Sequence, residues 1–275
     1  MGALRMKTYL INLARRPDRL RQMLSQLGDL DLPVEIVAAI DARNMPDEVA
    51  NRHFTADGPL GPVPKGDKCC TLSHMRAWSM FLSSGDSHGL ILEDDVTIDA
   101  DAAHLLRDAS WIPEGVGLLK IERFGPESQR VLLDELIDAG EGRQIGRLRS
   151  RHTGAAAYIL DRETALKLLA WPERWSLPVD HMLFNPNNSP MAVSLRPHQL
   201  TPAIARQSKS IGGQTDIDPW RVEMRAIGSA KLKRGLVRGY YELRLLPSQV
   251  ASWLTGESEL VRVEAPARFA SIGRR

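Results

Sequence analysis

From Lys7 to Leu13 the run KTYLINL is short, apolar and rich in β-favouring residues, which predicts a buried strand. Pro17 suits the first turn of a helix, and Leu20, Met23, Leu24 and Leu27 then recur on one face, so a helix over about 17–27 follows. Val34 to Val37 reads as a second short strand. Residues 41–68, broken by Pro46, Pro59, Pro62 and Pro64, predict a long irregular segment of the kind that serves binding. Leu72, Met75, Trp78 and Leu82 predict a helix ending near Gly85. Gly89-Leu90-Ile91-Leu92 is then a strand that runs straight into Glu93-Asp94-Asp95. Downstream, GVGLLKIE (115–122) and AAAYIL (155–160) read as strands, and Asp161 is placed to cap an ETALKLL helix.

This alternation predicts an α/β sandwich with a mainly parallel central sheet, whose ligands bind outside the carboxyl ends of its strands. After about Gly212 the pattern changes. Residues 228–246 interleave Lys231, Lys233, Arg234, Arg238 and Arg244 with leucine, valine and tyrosine, the pattern of a basic amphipathic helix. The chain therefore divides into a domain over 1–211 and a helical extension over 212–275.

Composition narrows the function classes. With 43% apolar and 25% charged residues, the 275-residue chain reads as globular, and a net charge of +2 gives no reason to expect nucleic-acid binding. The apolar run at the start is too short for a secretory leader, and no stretch approaches the ~20 apolar residues of a spanning helix, so a cytoplasmic location is expected. Cys69 and Cys70 are adjacent, which suits neither a structural disulfide nor zinc-site spacing.

The sharpest chemical signal is the acidic triplet. Two like charges at ~4 Å repel by roughly 4 kcal/mol at an effective dielectric of about 20, and a divalent cation reverses that sign. Strand alternation puts Glu93 and Asp95 on one face and Asp94 on the other. Glu93 and Asp95 then suit an oxygen-ligated Mn²⁺ or Mg²⁺ with positions left for diphosphate oxygens. The alternative is a solvated acidic turn or a helix cap.

Five blocks in order, YLINLARRPDR (9–19), GDKCCTLSHMRAW (66–78), LILEDDVTI (90–98), HTGAAAYIL (152–160) and PVDHMLF (178–184), resemble glycosyltransferase family 25, over roughly residues 7–211. The resemblance implies a GT-A-like fold, a UDP-sugar donor, a divalent cation and inverting transfer of a hexose, galactose foremost, to a cell-envelope oligosaccharide such as lipooligosaccharide. Asp67-Lys68-Cys69-Cys70 departs from the Gly-Cys pair common there, and the tail beyond 212 has no counterpart in the resemblance.

On this resemblance, Asn12, Arg16 and Arg19, at a βα turn and helix start, hold the nucleotide. Ser73 and His74, taken to open the helix at 72, contact the donor, as do Thr153 and Gly154, whose small residues let a ligand approach the backbone. Asp180, after an aromatic turn containing Trp171 and Trp175, is the base that takes the acceptor proton. Asp94 is the second catalytic candidate, within reach of the donor ribose. His181 or His198 supplies a further metal ligand. The partners implied are a UDP-sugar, an oligosaccharide or lipid-linked acceptor and an anionic membrane surface reached by the basic helix at the inner face of the membrane. Two rival readings are a phosphotransferase with Asp94 or Asp95 as nucleophile, which lacks its downstream lysine and acid pair, and a catalytically silent nucleotide-sugar or carbohydrate-binding protein of the same fold.

Overall fold

The computed structural model describes residues 6–207 and 229–265. The chain opens with β1 (Met6–Asn12), α1 (Pro17–Asp29), β2 (Val34–Ala38), α2 (Asp47–Asn51), α3 (Lys65–Ser83), β3 (His88–Glu93) and β4 (Val96–Ile98). A 3-10 segment (Ala100–Leu106) leads to β5 (Leu118–Lys120), β6 (Glu122–Arg123), β7 (Arg130–Gly140), β8 (Arg143–Leu148) and β9 (Ala157–Asp161). Then come α4 (Arg162–Leu169), α5 (Val179–Phe184), α6 (Pro190–Leu195), β10 (His198–Thr201) and β11 (Ala205–Gln207). The C-terminal segment holds α7 (Ser229–Arg244), α8 (Leu246–Leu254) and β12 (Ser258–Arg262).

Nine of the described strands form one sheet in the order β12-β7-β8-β10-β5-β9-β3-β1-β2, and β4-β11-β6 form a second, small one. The α/β class follows from which side chains each strand buries. Tyr9, Ile11, Ile91, Leu118 and Tyr158 point to one face, where Trp78 and Phe81 of α3 cover them. Their alternating neighbours Leu10, Leu90, Leu92, Leu119 and Ile159 point to the other face, where Met23 and Leu27 of α1 lie. Strands buried on both faces need both helix layers.

The parallel character read from the alternation belongs to β2-β1-β3 and to β10–β5. Elsewhere the pairings are antiparallel, because β9 enters between β3 and β5 against both of them and β7–β8 is a hairpin, so the sheet is mixed. The stretch expected to be irregular over 41–68 is shorter than its prolines suggest. It holds α2, and α3 begins at Lys65, with Pro64 as the N-cap residue and Asp67 in the first turn. The expected cap at Asp161 is present: its carboxylate accepts the Thr164 N–H at 2.7 Å. The C-terminal segment does more than extend the chain with helix, since β12 pairs with β7 and Val263 enters the core.

Candidate active site at the carboxyl end of the sheet

β1 has β2 on one side and β3 on the other, so the order of strands reverses between β1 and β3. That reversal opens a crevice at the strands' carboxyl ends. Ile11 is in register with Glu93, so Asn12 and the acidic triplet leave the sheet side by side at this point.

The strand ends at Glu93, and Asp94 and Asp95 form the turn into β4. The three carboxylates nevertheless separate as alternation predicts. Asp94, buried, accepts Asn12 Nδ2 at 2.7 Å and Arg19 Nη1 at 3.0 Å. Glu93 and Asp95 turn to the other side and share one donor: Gln207 Nε2 lies 3.4 Å from Glu93 Oε2 and 3.1 and 3.2 Å from the two Asp95 oxygens. Arg19 also comes within 3.6 Å of Asp95. Burial raises the Asp94 carboxyl above its ordinary value against the pull of Arg19. Burial and then the neighbouring Glu93 push Asp95 up to about 7. A single neutral amide thus stands between two carboxylates, one of which is reluctant to ionise without more positive charge.

Glu93 is fixed from behind by a relay of buried polar groups. Trp78 Nε1 donates to Tyr158 Oη at 2.8 Å, Tyr158 Oη meets His74 Nδ1 at 2.9 Å, and His74 Nε2 meets Glu93 Oε1 at 3.2 Å. Since the Tyr158 oxygen is taken up by Trp78, its proton goes to His74 Nδ1, and the Nε2–H faces Glu93. Ser73 and His74 were expected at the start of a helix; because α3 begins at Lys65, they sit two turns in and are buried. Ser73 Oγ donates to the Cys69 carbonyl and accepts the Ile40 N–H, at 2.7 and 2.8 Å. Cys70, one turn before His74, reaches Glu93 as well, and the ligating atoms of Cys70, His74 and Glu93 lie within 4.8 Å of one another. Glu93 with Asp95 could hold a hard cation, and Glu93 with His74 and Cys70 a softer one.

Asp180 lies in the first turn of α5, whose N-cap position is held by Pro178. Its carboxylate is thus not the helix cap, and it accepts the Gly154 N–H at 3.4 Å. Gly154 has φ of +93°, and a Cβ there would meet Phe124 Cγ at 2.7 Å. Gly154→Ala should therefore destabilise the protein by about 2 kcal/mol or more, read from urea unfolding, because left-handed strain and overpacking act together. A loss under ~0.5 kcal/mol would show that the turn is not held as described. Within the aromatic turn, Trp175 is buried and stacks on Trp78 at 5.9 Å, so it belongs to the core.

Arg16 is the N-cap residue of α1; its guanidinium pairs with Asp18 at 2.8 Å and its carbonyl accepts Asn12 Nδ2. Thr153 is half-buried beside Gly154. His181 Nδ1 meets Asn185 Nδ2 at 2.9 Å. His198 is on the face of β10 opposite to Gln199, across from Arg147, whereas Gln199 faces the His152 and Glu122 side.

Beneath the crevice lies a group that the strand reading of 115–122 did not mark. Lys120 and Glu122 are fully buried and paired at 2.6 Å. Lys120 also donates to the Gly154 carbonyl, and Glu122 Oε1 accepts the Ala156 N–H at 2.8 Å. Buried His152 meets Gln199 Oε1 at 2.7 Å, and burial with nearby Lys120 lowers it to about 3.

His152 and Asp95 give a pH signature with opposing signs. Between pH 3 and 6.5 the unfolded chain holds more protons at His152 than the native one, so this residue makes stability rise with pH. Between pH 3.8 and 7 the native state holds more protons at Asp95, so that residue makes stability fall as pH rises. Each slope is at most about 1.4 kcal/mol per pH unit. In metal-free buffer the parent should show a shallow dependence from pH 4 to 6.5. Asp95→Asn should leave stability climbing with pH, and His152→Gln should leave it falling. Identical slopes for the two variants in urea unfolding would refute these assignments.

The site thus groups acids, amides and arginines at the switch point of an α/β sheet. The chain belongs to glycosyltransferase family 25 (LPS biosynthesis protein), which it matches over residues 6–183. It is 29% identical over 225 residues to the lacto-N-neotetraose biosynthesis glycosyltransferase LgtB of Neisseria gonorrhoeae, covering 74% of each chain. It is 25% identical over 186 residues to the lipooligosaccharide biosynthesis protein lic2B of Haemophilus influenzae, covering 64% of this chain and 69% of that one. It is 30% identical over 194 residues to the probable inactive glycosyltransferase 25 family member 3 of Bos taurus, where the match spans 64% of this chain and only 31% of the bovine one. Gln207, α7 and α8 lie beyond the family match.

Proposed function

We propose that this protein transfers a hexose, galactose foremost, from a UDP-sugar to a hydroxyl of a cell-envelope oligosaccharide of the lipooligosaccharide kind, with inversion, and that it acts in the cytoplasm on a lipid-linked acceptor. The observation that carries this reading is the pairing of Glu93 and Asp95 around one amide at the switch point, with Asp95 raised to about 7. Two acids in that state fit a divalent cation, Mn²⁺ or Mg²⁺, for which Gln207 must give way. When bound, such a cation neutralises the charge that develops on the leaving diphosphate.

The chain's own residues do the rest. Arg19, held at Asp94, keeps positive charge beside the acids, and Arg16 at the start of α1 presents its guanidinium to the nucleotide, while Asn12, whose two Nδ2 hydrogens go to Asp94 and the Arg16 carbonyl, positions these groups. Thr153, half-buried, is left to meet the donor, whereas the space beside Gly154 is filled by Phe124, so Gly154 serves the turn that steadies Asp180. Asp180, steadied by the Gly154 N–H, accepts the acceptor's hydroxyl proton as the oxygen attacks the anomeric carbon from the side opposite the nucleotide.

Calorimetry with UDP, with and without Mn²⁺, tests the donor half: binding strengthened by the cation is expected, and UDP binding indifferent to it would overturn the reading. Hydrolysis of UDP-galactose, UDP-glucose and UDP-N-acetyl sugars then ranks the donors. Asp180→Asn should lower turnover by roughly 10²–10⁴-fold with UDP affinity kept. Turnover within a few-fold of the parent would move the base elsewhere. The likeness to a relative described as probably inactive favours one second reading, a silent nucleotide-sugar-binding protein. That reading is the outcome if UDP binds with the cation and no donor turns over.

A further inference from the structure

The two C-terminal helices are built inside out. On α8, Gln249 and Ser252 are buried: Gln249 Nε2 donates to the Arg149 carbonyl at 2.7 Å and to Asn187 Oδ1 at 3.1 Å, and Ser252 bonds Ser258. The apolar residues of the same helix face outward, with Trp253 50% and Leu254 71% exposed and Leu246 and Val250 beside them on the same stripe. α7 repeats the arrangement. Its acid Glu242 faces the body of the protein, reaching Arg151 at 2.9 Å and Asn187 at 2.8 Å. Its apolar positions Leu232, Leu236, Tyr240 and Leu243 recur at i, i+4, i+8 and i+11 and are all more than 60% exposed. The amphipathic helix foreseen in the sequence thus does not lay this apolar face on the core. No helix among the described residues is long and apolar enough to cross a membrane.

The net charge of this segment and of its surroundings names the occupant. Where α8 begins, a cavity of about 100 Å³ between that helix and the body is lined by Arg147, Arg149 and Arg196 together with Val193, Leu245 and Gln249. Arg149 is paired with Asp134 at 3.3 Å and Arg196 with Glu135 at 3.5 Å. Arg147 makes no ion pair among the described residues, so the cavity keeps one positive charge for an anion. The sequence of α7 holds five basic residues against the single acid Glu242, already paired. An exposed apolar stripe on a helix of basic sequence, with an arginine-lined cavity beside the start of α8, is complementary to a bilayer of anionic phospholipid, whose acyl chains take the stripe and whose phosphates reach the cavity. A second protein chain with an apolar groove would leave the cavity charge unanswered.

We propose that the outward face of α7 and α8 docks on an anionic phospholipid surface, with Arg147 receiving a lipid phosphate. This stands apart from the catalytic reading, although Glu242 ties the docking helix to Arg151, three residues before Gly154. The test is sedimentation of the full chain with vesicles of phosphatidylcholine alone or mixed with phosphatidylglycerol, at low and high salt. Binding to the mixed vesicles that weakens with salt is expected. Leu236→Ser combined with Trp253→Ser should weaken it roughly tenfold or more. Arg147→Gln should weaken it several-fold on the mixed vesicles, while the melting temperature and UDP binding stay at parent values. The proposal is overturned if the parent fails to bind, if the variants bind like the parent, or if light scattering shows that the double variant abolishes self-association of a chain that binds no vesicle. Calorimetric uptake of inorganic phosphate without vesicle binding would also overturn it.

Discussion

Asp95→Ala should abolish the strengthening of UDP binding by Mn²⁺ and reduce turnover to background, while the metal-free protein keeps or slightly gains stability. Asp94→Ala should do the reverse and act mainly on folding. Asp95 is reluctant to ionise where it lies, so its removal relieves crowding at Glu93, and Gln207 keeps Glu93 as an acceptor at 3.4 Å. Asp94, by contrast, is the partner of Arg19, which is only 7% exposed, and of buried Asn12. Removing one member of a buried ion pair leaves the other charge uncompensated, at a cost of 3–5 kcal/mol in general. Asp95 remains 3.6 Å from Arg19 and takes up part of the deficit, so about 3 kcal/mol is expected for Asp94→Ala in urea unfolding. Equal stability losses at the two positions would show that the separation of the carboxylates is wrong. Full cation-enhanced UDP binding in Asp95→Ala would remove Asp95 from the cation site.

What the sequence revealed and what it hid follow from the range of the interactions. β1, α1 and β3 are short elements with clean periodicity and local stop signals, so the sequence puts Asn12 and the triplet each at a strand's end, and the pairing of β1 with β3 brings them together. Alternation also foretold that Asp94 would part from Glu93 and Asp95, although a turn rather than a continued strand does it. Gln207 is 112 residues from Asp95, and only the pairing of β11 with β4 brings it there. No local pattern carries that. The Cys70–His74 pair was readable at i, i+4, but starting the helix at Leu72 instead of Lys65 concealed it. The signal for Lys120 and Glu122 was present and unused: they share a parity with Leu118, so a period-2 reading puts two charges on a buried face. The exposed face of α7 was seen as amphipathic, yet which side it turns to the body depends on Glu242 meeting Arg151.

Either single change at that buried pair, Lys120→Met or Glu122→Leu, should cost about 3–5 kcal/mol, a large part of the 5–15 kcal/mol that holds a typical domain together. Both side chains are fully buried; desolvation lowers the lysine and raises the glutamate, so each stays charged only through the other. Glu122 Oε2 already lacks a hydrogen-bond partner among the described residues, and loss of Lys120 would leave the other oxygen with the Ala156 N–H alone. Lys120→Met with Glu122→Gln should recover much of the stability, because the amide keeps an acceptor for Ala156 while no charge is left buried. A double-mutant cycle built from Lys120→Met and Glu122→Gln should give a coupling of about 2 kcal/mol or more. Effects that simply add would show that the pair is not a unit. The kinetic consequence is separate, since Lys120 holds the carbonyl of Gly154 and the N–H of Gly154 steadies Asp180. The charge-free double variant should therefore fold and bind UDP with its cation like the parent, yet turn over more slowly, and parent-like turnover would show that the Gly154 turn keeps its place without Lys120.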